Sequence, residues 1–313
     1  MRGWWQDLTD LVLPAECGGC GRPRTVLCPE CRAALSGAAP RRVRPVPEPA
    51  GLPVVHAAAR YGDEVRAVLL AHKERGALAL AGPLGAALAG AVRAGLWHAG
   101  EGAVDSGARP GDGDVPVLLV PVPSARGAVR ARGHDPARRI ALAAAGELRR
   151  TGTPARVLAV LRQRRAVADQ AGLNSRLRLE NLEGALAVAP GGARLLSGGP
   201  VVLVDDLMTT GASLTEAARA VRAAAAGPVE PGAVSITYQG APAVARRDMA
   251  AAVYAGVARE GRGERMERTA GSAEGSGTRR RVGRGSAASN GIGDTICAAV
   301  VAATSDSFEI NRN

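Results

Sequence analysis

Aromatic side chains are scarce in this sequence, at 2% of its 313 residues. Apolar residues nevertheless make up 46%, which is enough for a sizeable core. Alanine, valine and leucine have to fill that core, and such small side chains suit thin helices packed closely on a parallel sheet. Long apolar runs are missing too: none reaches about 18 residues, so we expect no membrane span. The N-terminal stretch MRGWWQDLTDLVLP is too short and too acidic for a secretory signal, so we expect a cytoplasmic location.

Lysine is almost absent, although the chain is strongly basic. Lys73 is the only lysine among 40 Lys and Arg residues, and the formal net charge is +11. Such a surface suits nucleic acid or phosphorylated ligands, but the codon bias of a GC-rich genome explains it equally well. Single-strand binders usually interleave aromatic stacking platforms with their basic residues. The arginine-rich middle of this chain has none, which weakens the case for a nucleic-acid interface.

Strand and helix patterns alternate along the chain. Short apolar, β-branched runs predict strands over 117–122, 157–161, 185–188, 201–204 and 234–237. Helical patterns cover about 64–75, 83–97, 136–150 and 214–226, and Asp135-Pro136 is a good helix start. This alternation predicts an α/β fold with a parallel sheet flanked by helices.

Composition divides the chain into four parts. Residues 1–39 form a small N-terminal module, and the Pro-rich stretch 40–53 reads as a linker. The main domain covers 54–258. From residue 259 to 313 the chain is charged and rich in Gly and Ser, which predicts a disordered tail. That tail includes the apolar island 296–303, to which no function is assigned, and Cys297 in it is interpreted as incidental.

Four cysteines fall within fifteen positions, in the spacing C-x2-C-x7-C-x2-C. They are Cys17, Cys20, Cys28 and Cys31. Two CxxC pairs can place four thiolates on one metal ion, and a closed all-sulfur site favours structural Zn2+. A redox dithiol or a metal-free remnant is the alternative. Zinc would fold a module, ribbon-like in type, that is too small to hold a core of its own.

An acidic pair follows the predicted buried strand over 201–204, in the stretch VVLVDDLMTTGAS over 201–213. In an α/β sheet, ligands bind where strands end and loops lead into helices. Adjacent carboxylates there suit the two neighbouring hydroxyls of a ribose. The loop after them offers hydroxyls and backbone N–H groups to a phosphate, and Ser213 with Glu216 matches a capping box. The alternative is a magnesium-binding acidic pair in a phosphatase- or receiver-type domain.

This stretch resembles the phosphoribosyl pyrophosphate-binding motif of type I phosphoribosyltransferases. Four other features resemble the ComF family, whose members carry a four-cysteine module before such a domain. They are the cysteine cluster, RYGDEVRAVLLAHKERG (60–76), VPVPSARGAVRARGHD (120–135), and QAGLNSRLRLENL (170–182) with the arginines before it. The resemblance covers about residues 8–240. It implies a type I phosphoribosyltransferase-like sheet behind the zinc module.

The resemblance also implies roles for individual residues. The acidic pair Asp205 and Asp206 would bind the ribose, and both would also be catalytic residues. The 5′-phosphate would be bound by Thr209, Thr210, Gly211 and Ser213. Pyrophosphate, beside Mg2+, would be bound by Ser124, Arg126, Arg130 and Arg132. A closing loop would contribute Gln170, Arg176 and Asn181, and it would exclude water and neutralise the departing pyrophosphate. Lys73 matches a family position as well; the alternative is an ordinary surface lysine.

Three functions follow from this resemblance. The first is transfer of the phosphoribosyl group from phosphoribosyl pyrophosphate to a base or amine. The second is a non-catalytic role in DNA uptake during competence, with nucleotides, single-stranded DNA or DNA-uptake proteins as partners. The third is a sensor that binds phosphoribosyl pyrophosphate and regulates a partner. The acidic pair and loop favour ligand binding over any particular reaction.

Overall fold

The computed structural model describes residues 16–101, 115–165, 167, 175–227 and 296–311. Six of its strands form one sheet in the order β1-β2-β8-β7-β3-β4. They are β1 (Arg41–Val43), β2 (Val54–Arg60), β3 (Val117–Pro121), β4 (Ala155–Val157), β7 (Val201–Met208) and β8 (Cys297–Ala303). The strands from β2 to β4 in this order run parallel, and β1 pairs antiparallel with β2 at one edge. The predicted α/β fold with a mostly parallel sheet is confirmed.

Helices cover the sheet on both faces. They are α1 (Pro29–Ser36), α2 (Asp63–Glu74), α3 (Ala81–Glu101), α4 (Arg126–Arg132), α5 (Pro136–Arg150), α6 (Ser175–Leu182), α7 (Gly192–Leu196) and α8 (Ala212–Ala226). Short 3-10 turns occupy Leu78–Leu80 and Ser305–Asn311. A separate antiparallel pair is formed by β5 (Leu161–Gln163) and β6 (Leu186–Val188).

Each central strand contributes to two core layers, because successive side chains of a strand point to opposite faces. In β7, Val202 and Val204 pack in the layer with α3 and α5, whereas Val201 and Leu203 pack in the layer with α8. Both faces of the strand are therefore apolar, as is typical of a parallel sheet covered on two sides. This explains why the sequence of β7 shows a continuous apolar run instead of an alternating one.

Small residues allow the helices to approach closely, as the composition predicts. At Gly85 of α3, a Cβ atom would lie 2.8 Å from the backbone carbonyl carbon of Ala143 in α5. No real Cβ packs that tightly against backbone, so this helix pair requires glycine at the crossing. A core with few aromatics is thus filled by bringing helix axes together.

The helix over Leu78–Ala99 is long and apolar enough to cross a membrane by length and composition, with a mean hydropathy of 1.4. Half of its most apolar window is buried inside the protein. Leu84 and Leu88 lie in the core layer shared with α5 and the sheet. The apolar character of this helix is therefore accounted for by its place in the core.

The predicted disordered tail is wrong for its last part. Strand β8 lies between β2 and β7, near the middle of the sheet, with Ala299 in register with Val204 on one side. All seven of its residues are buried. A strand hydrogen-bonded on both edges and covered on both faces is an integral part of the core. Residues 259–295 of the predicted tail lie outside the described residues.

The predicted separation of module and main domain is also wrong. Strand β1 lies inside the predicted linker 40–53 and pairs with β2. Cys28 and Leu35 share one core cluster with Leu80 and Leu84 of the main domain. The described part of residues 1–39 contains α1 and a single β-bridge between Glu16 and Pro23, so no β-ribbon forms there. The cysteine segment packs directly on α2 and α3.

Two predicted strands do not each correspond to one strand among the described residues. The run 157–161 spans the end of β4 and the start of β5, which belong to different sheets. The chain therefore turns out of the main sheet within this run and enters the small β5-β6 pair. The strand predicted over 234–237 lies outside the described residues.

Candidate functional site

The acidic pair lies where the sheet changes its direction of winding. From β3 the chain passes through α5 to β4 on one side, and β7 lies on the other side of β3. Asp205 and Asp206 occupy the carboxyl-terminal half of β7, and Ser124 follows the end of β3. A crevice between the carboxyl ends of two such strands is the usual ligand position in open α/β sheets.

The loop after β7 leads directly into α8. Gly211 is the residue before the helix and has φ +76°, a left-handed conformation that favours glycine. No side chain caps the first turn, and a hollow of about 30 Å3 lies beside it, lined by Asp205 and residues 207–214. An uncapped helix start with a positive dipole end provides hydrogen-bond donors for an anion.

The predicted capping box is not formed. Helix α8 begins at Ala212, so Ser213 already lies in the first turn. Glu216 is buried and accepts hydrogen bonds from the backbone N–H of Leu186 at 2.8 Å and from Arg219 at 2.6 Å. Glu216 therefore fastens α8 to β6, and the helix start is left free.

Lys73 reaches the acidic pair from α2. Its Nζ lies 3.1 Å from Oδ2 of Asp206, and the charge of Asp206 raises the pKa of Lys73. Burial, together with the adjacent Asp206 charge, raises the pKa of Asp205 well above its usual range. The backbone N–H of Asp206 donates to Oδ1 of Asp205 at 2.8 Å. The two neighbouring carboxyls thus differ: Asp206 has a lysine counter-ion, whereas Asp205 resists ionisation.

The loop after β3 is organised by Asp135. This carboxylate caps α5 by accepting from the N–H of Arg138, as the predicted helix start requires. It also lies 3.4 Å from the backbone nitrogen of Ser124 and 3.5 Å from its hydroxyl. Ser124 is therefore held in position at the carboxyl end of β3, beside the acidic pair's strand.

The arginines of this loop contact the elements around it. Arg126 donates to the carbonyl of Gln163 in β5 at 3.3 Å, and Arg132 pairs with Glu74 at 3.1 Å. Arg130 is exposed. The Arg132–Glu74 pair joins the end of α4 to α2, next to Lys73.

His134 strengthens the same junction. Its Nδ1 lies 3.2 Å from the carbonyl oxygen of Arg132, and its Nε2 lies 3.3 Å from the carbonyl oxygen of His72. The rings of His72 and His134 also meet edge to face, with centroids 5.6 Å apart. These contacts fix the helix that carries Lys73. The one signal for this role in the sequence is that His134 lies close to the loop that follows β3.

The predicted closing-loop residues are placed differently from one another. Gln170 lies outside the described residues. Arg176 has an 87% exposed side chain paired with Glu180, so the structure does not bring it to the acidic pair. The carbonyl oxygen of Asn181 accepts a hydrogen bond from Arg165 at 2.9 Å.

A neighbouring arginine reaches the loop instead. Nη1 of Arg178 donates to Oγ1 of Thr209 at 3.1 Å. Arg176 and Arg178 are two positions apart on α6, so they point to different sides of the helix. Helical periodicity, with Leu179 and Leu182 as the packed face, was the signal that would have selected Arg178.

The four cysteines form a second site. Their sulfur atoms all lie within 4.8 Å of one another, and those of Cys20 and Cys28 are 3.6 Å apart. Four sulfurs around zinc at 2.3 Å stand about 3.8 Å apart in tetrahedral geometry. Backbone N–H groups point at two of the sulfurs: that of Cys28 at Cys17, and that of Cys31 at Cys28. The donor set and its spacing fit a structural zinc ion.

The electrostatics of the cluster agree with this fit. Burial raises the pKa of the Cys17 thiol, but N–H groups of Cys28, Cys20 and Gly19 outweigh burial and lower it to about 6. Burial raises the pKa of Cys31 instead. Crowded thiols of this kind cannot all ionise without a cation between them, and a bound metal supplies that cation.

Comparison with known proteins assigns no family to the chain. No family model matches the chain, and no curated protein matches it.

Proposed function

We propose that this protein binds phosphoribosyl pyrophosphate, or a related ribose phosphate, at the carboxyl end of β7. The observation that carries the proposal is the succession of Asp205, Asp206 and the uncapped start of α8 along one strand-loop-helix connection. Carboxylates suit ribose hydroxyls, and helix-start N–H groups suit a phosphate. A ribose and its 5-phosphate present these two chemistries next to each other.

The unequal acidic pair supports a sugar ligand. Asp206 pairs with Lys73 at 3.1 Å, and its carboxyl oxygens can accept a hydrogen bond from a ribose hydroxyl. The pKa of Asp205 is raised in the ligand-free site. A ribose hydroxyl that donates to Asp205 would favour its ionised form, because a hydrogen bond to the charged form of a carboxyl lowers its pKa. Ligand binding would therefore stabilise the ionised form of Asp205, which is unfavourable in the empty site.

We also propose that the pyrophosphate group of the ligand and a Mg2+ ion bind at this site. Carboxylate oxygens are ligands of the kind that Mg2+ prefers, and the site has two such groups. Lys73 already neutralises Asp206, so the ion would be held chiefly by the pyrophosphate oxygens of the ligand, with Asp205 nearby. Ser124, fixed by Asp135 beside β7, would bind the pyrophosphate.

Phosphoribosyl transfer is the reaction that these groups suit. The bond between the ribose C1 and pyrophosphate breaks with its electron pair leaving on pyrophosphate. An acceptor nitrogen forms the new bond to C1 and releases its proton. Cations stabilise the charge that develops on the leaving pyrophosphate, and the carboxylates hold the ribose. The four-cysteine cluster, which packs on α2, is another feature on which the resemblance to the ComF family rests.

Calorimetry with phosphoribosyl pyrophosphate and Mg2+ tests the proposal. We expect the wild type to bind and the Asp205→Asn and Asp206→Asn variants to lose binding. The exposed Asp306 offers a matched control, because Asp306→Asn changes the net charge equally and should bind as the wild type does. Absence of binding by the wild type would refute the proposal.

A second measurement separates catalysis from sensing. Pyrophosphate release is followed with a panel of bases and amines in the presence of phosphoribosyl pyrophosphate. Release that depends on one acceptor and is lost in Asp206→Asn identifies a transferase. Binding without release for every acceptor favours the ligand sensor.

A further inference from the structure

Among the described residues, no carboxylate pairs with Arg178, an arginine beside the loop. Arg178 is partly buried, and its Nε has no hydrogen-bond acceptor among the described residues. Other arginines near it have carboxylate partners: Arg219 pairs with Glu216, and Arg176 with Glu180. A desolvated cation without an anion costs free energy, so the site favours a ligand that brings negative charge.

The position of Arg178 is fixed by packing. Leu179 and Leu182, on the same helix, pack against Ala212 at the start of α8. This contact holds α6 against the loop, and Nη1 of Arg178 donates to Oγ1 of Thr209. The guanidinium is thus attached to the loop that leads into the uncapped helix start.

The guanidinium can still donate to a phosphate. Nη1 is used by Thr209 and Nε is buried without an acceptor among the described residues, which leaves Nη2 as the remaining donor group. A charged guanidinium N–H that donates to a phosphate oxygen forms a charge-assisted hydrogen bond, which is stronger than one between neutral groups. The first-turn N–H groups of α8 add further donors on the other side of Thr209.

We propose that Arg178 binds the 5-phosphate of the ligand together with the loop from Thr209 to Gly211, so that the site selects phosphorylated riboses over free ones. This inference rests on the proposed function. It assigns the phosphate to a residue on α6, whereas the resemblance assigned that helix, through Arg176, to the departing pyrophosphate.

Calorimetric titration with ribose 5-phosphate tests the inference. We expect Arg178→Gln to weaken binding about 10- to 100-fold, the range for a lost charge-assisted hydrogen bond. Arg178→Lys, which keeps the charge but loses the guanidinium, should recover part of the affinity. Arg176→Gln is the matched control, since it removes an exposed arginine from the same helix, and it should bind within twofold of the wild type.

Two further variants separate binding from structure. Thr209→Val removes the hydroxyl that Arg178 contacts but keeps the guanidinium. If Arg178 acted only by holding Thr209, Thr209→Val would weaken binding as much as Arg178→Gln, and the inference would be wrong. We expect a smaller loss. Circular dichroism and the melting temperature of each ligand-free variant show that it is folded, and Arg178→Lys provides the comparison if Arg178→Gln does not fold.

The outcomes distinguish this inference from the proposed function. Wild-type binding of ribose 5-phosphate that Arg178→Gln leaves within twofold overturns the inference and leaves the proposed function standing. A wild type that binds phosphoribosyl pyrophosphate but not ribose 5-phosphate overturns the inference alone, and a wild type that binds neither overturns both. Wild-type binding with selective loss in Arg178→Gln supports both.

Discussion

Replacing Asp205 by asparagine is expected to stabilise the ligand-free protein, although it removes a residue that we propose to bind ribose. Burial and the neighbouring charge of Asp206 raise the pKa of Asp205 in the folded state above 3.8, its ordinary value. Between these two pKa values the unfolded chain releases the proton and the folded chain retains it. The folded state then binds more protons, so its stability falls as the pH rises. Asparagine has nearly the same shape and does not ionise, which abolishes this loss.

The size of the effect follows from proton linkage. Each pH unit between the two pKa values changes the free energy of unfolding by about 1.4 kcal/mol. A domain of this size shifts its melting temperature by about 2–4 °C per kcal/mol. The melting temperature of Asp205→Asn should therefore exceed that of the wild type by an amount that grows by about 3–6 °C per pH unit. The growth stops once the pH passes the folded-state pKa.

Differential scanning calorimetry from pH 4.5 to 8, without ligand, measures this difference. Asp306→Asn serves as the control for net charge, because that carboxylate is exposed, and its curve should stay parallel to the wild type. A difference between Asp205→Asn and wild type that stays flat or shrinks with rising pH would refute the reasoning. A gain in stability joined to a loss of ligand binding would identify Asp205 as a group kept for function at a cost to the fold.

Three other features give measurable predictions. Lys73→Met should lower the free energy of unfolding at neutral pH by about 1–2 kcal/mol, less than for a fully buried pair because the lysine is partly exposed, as chemical denaturation will measure. The purified wild type should contain one zinc ion per chain by elemental analysis; Cys20→Ser should lose it and melt lower, while Cys297→Ala, outside the cluster, should retain it. Gly85→Ala should cost about 1–3 kcal/mol in urea unfolding because the new Cβ meets backbone, whereas Gly82→Ala on the same helix meets open space and should cost nothing. Retained zinc in Cys20→Ser, or equal effects of the two glycine variants, would contradict these arguments.

Local patterns predicted the four longest helices well, because their signals lie within the segment itself. The helix over Pro136–Arg150 begins where Asp135 and Pro136 indicate, since the cap and the first-turn proline act within a few residues. The strand at Val201–Met208 runs four residues further than its apolar run indicates. Asp205 and Asp206 extend it, because the neighbouring β8 continues in register with them. Strand length is thus set partly by the partner, which no local pattern contains.

Strand β8 was misassigned for the same physical reason. Its apolar run is the kind expected of a strand buried on both faces, yet it follows a long Gly/Ser-rich stretch that is typical of disorder. Only the pairing of Ala299 with both His56 and Val204 shows why the segment is buried. These partners lie far away in the chain, so the information is tertiary.

The candidate site likewise combines residues that the local sequence predicts with residues that only tertiary packing selects. Asp205, Asp206 and the loop to Gly211 were predictable, because strand, turn and helix start follow one another in sequence. The choice between Arg176 and Arg178 depended on which side of α6 faces the loop, and that is decided by packing against α8. Both residues belong to one arginine-rich run, so composition could not separate them. The contact of Arg178 with Thr209 joins the loop to the helix that packs on it, so the proposed anion site takes its positive charge from a residue 31 positions away in the chain.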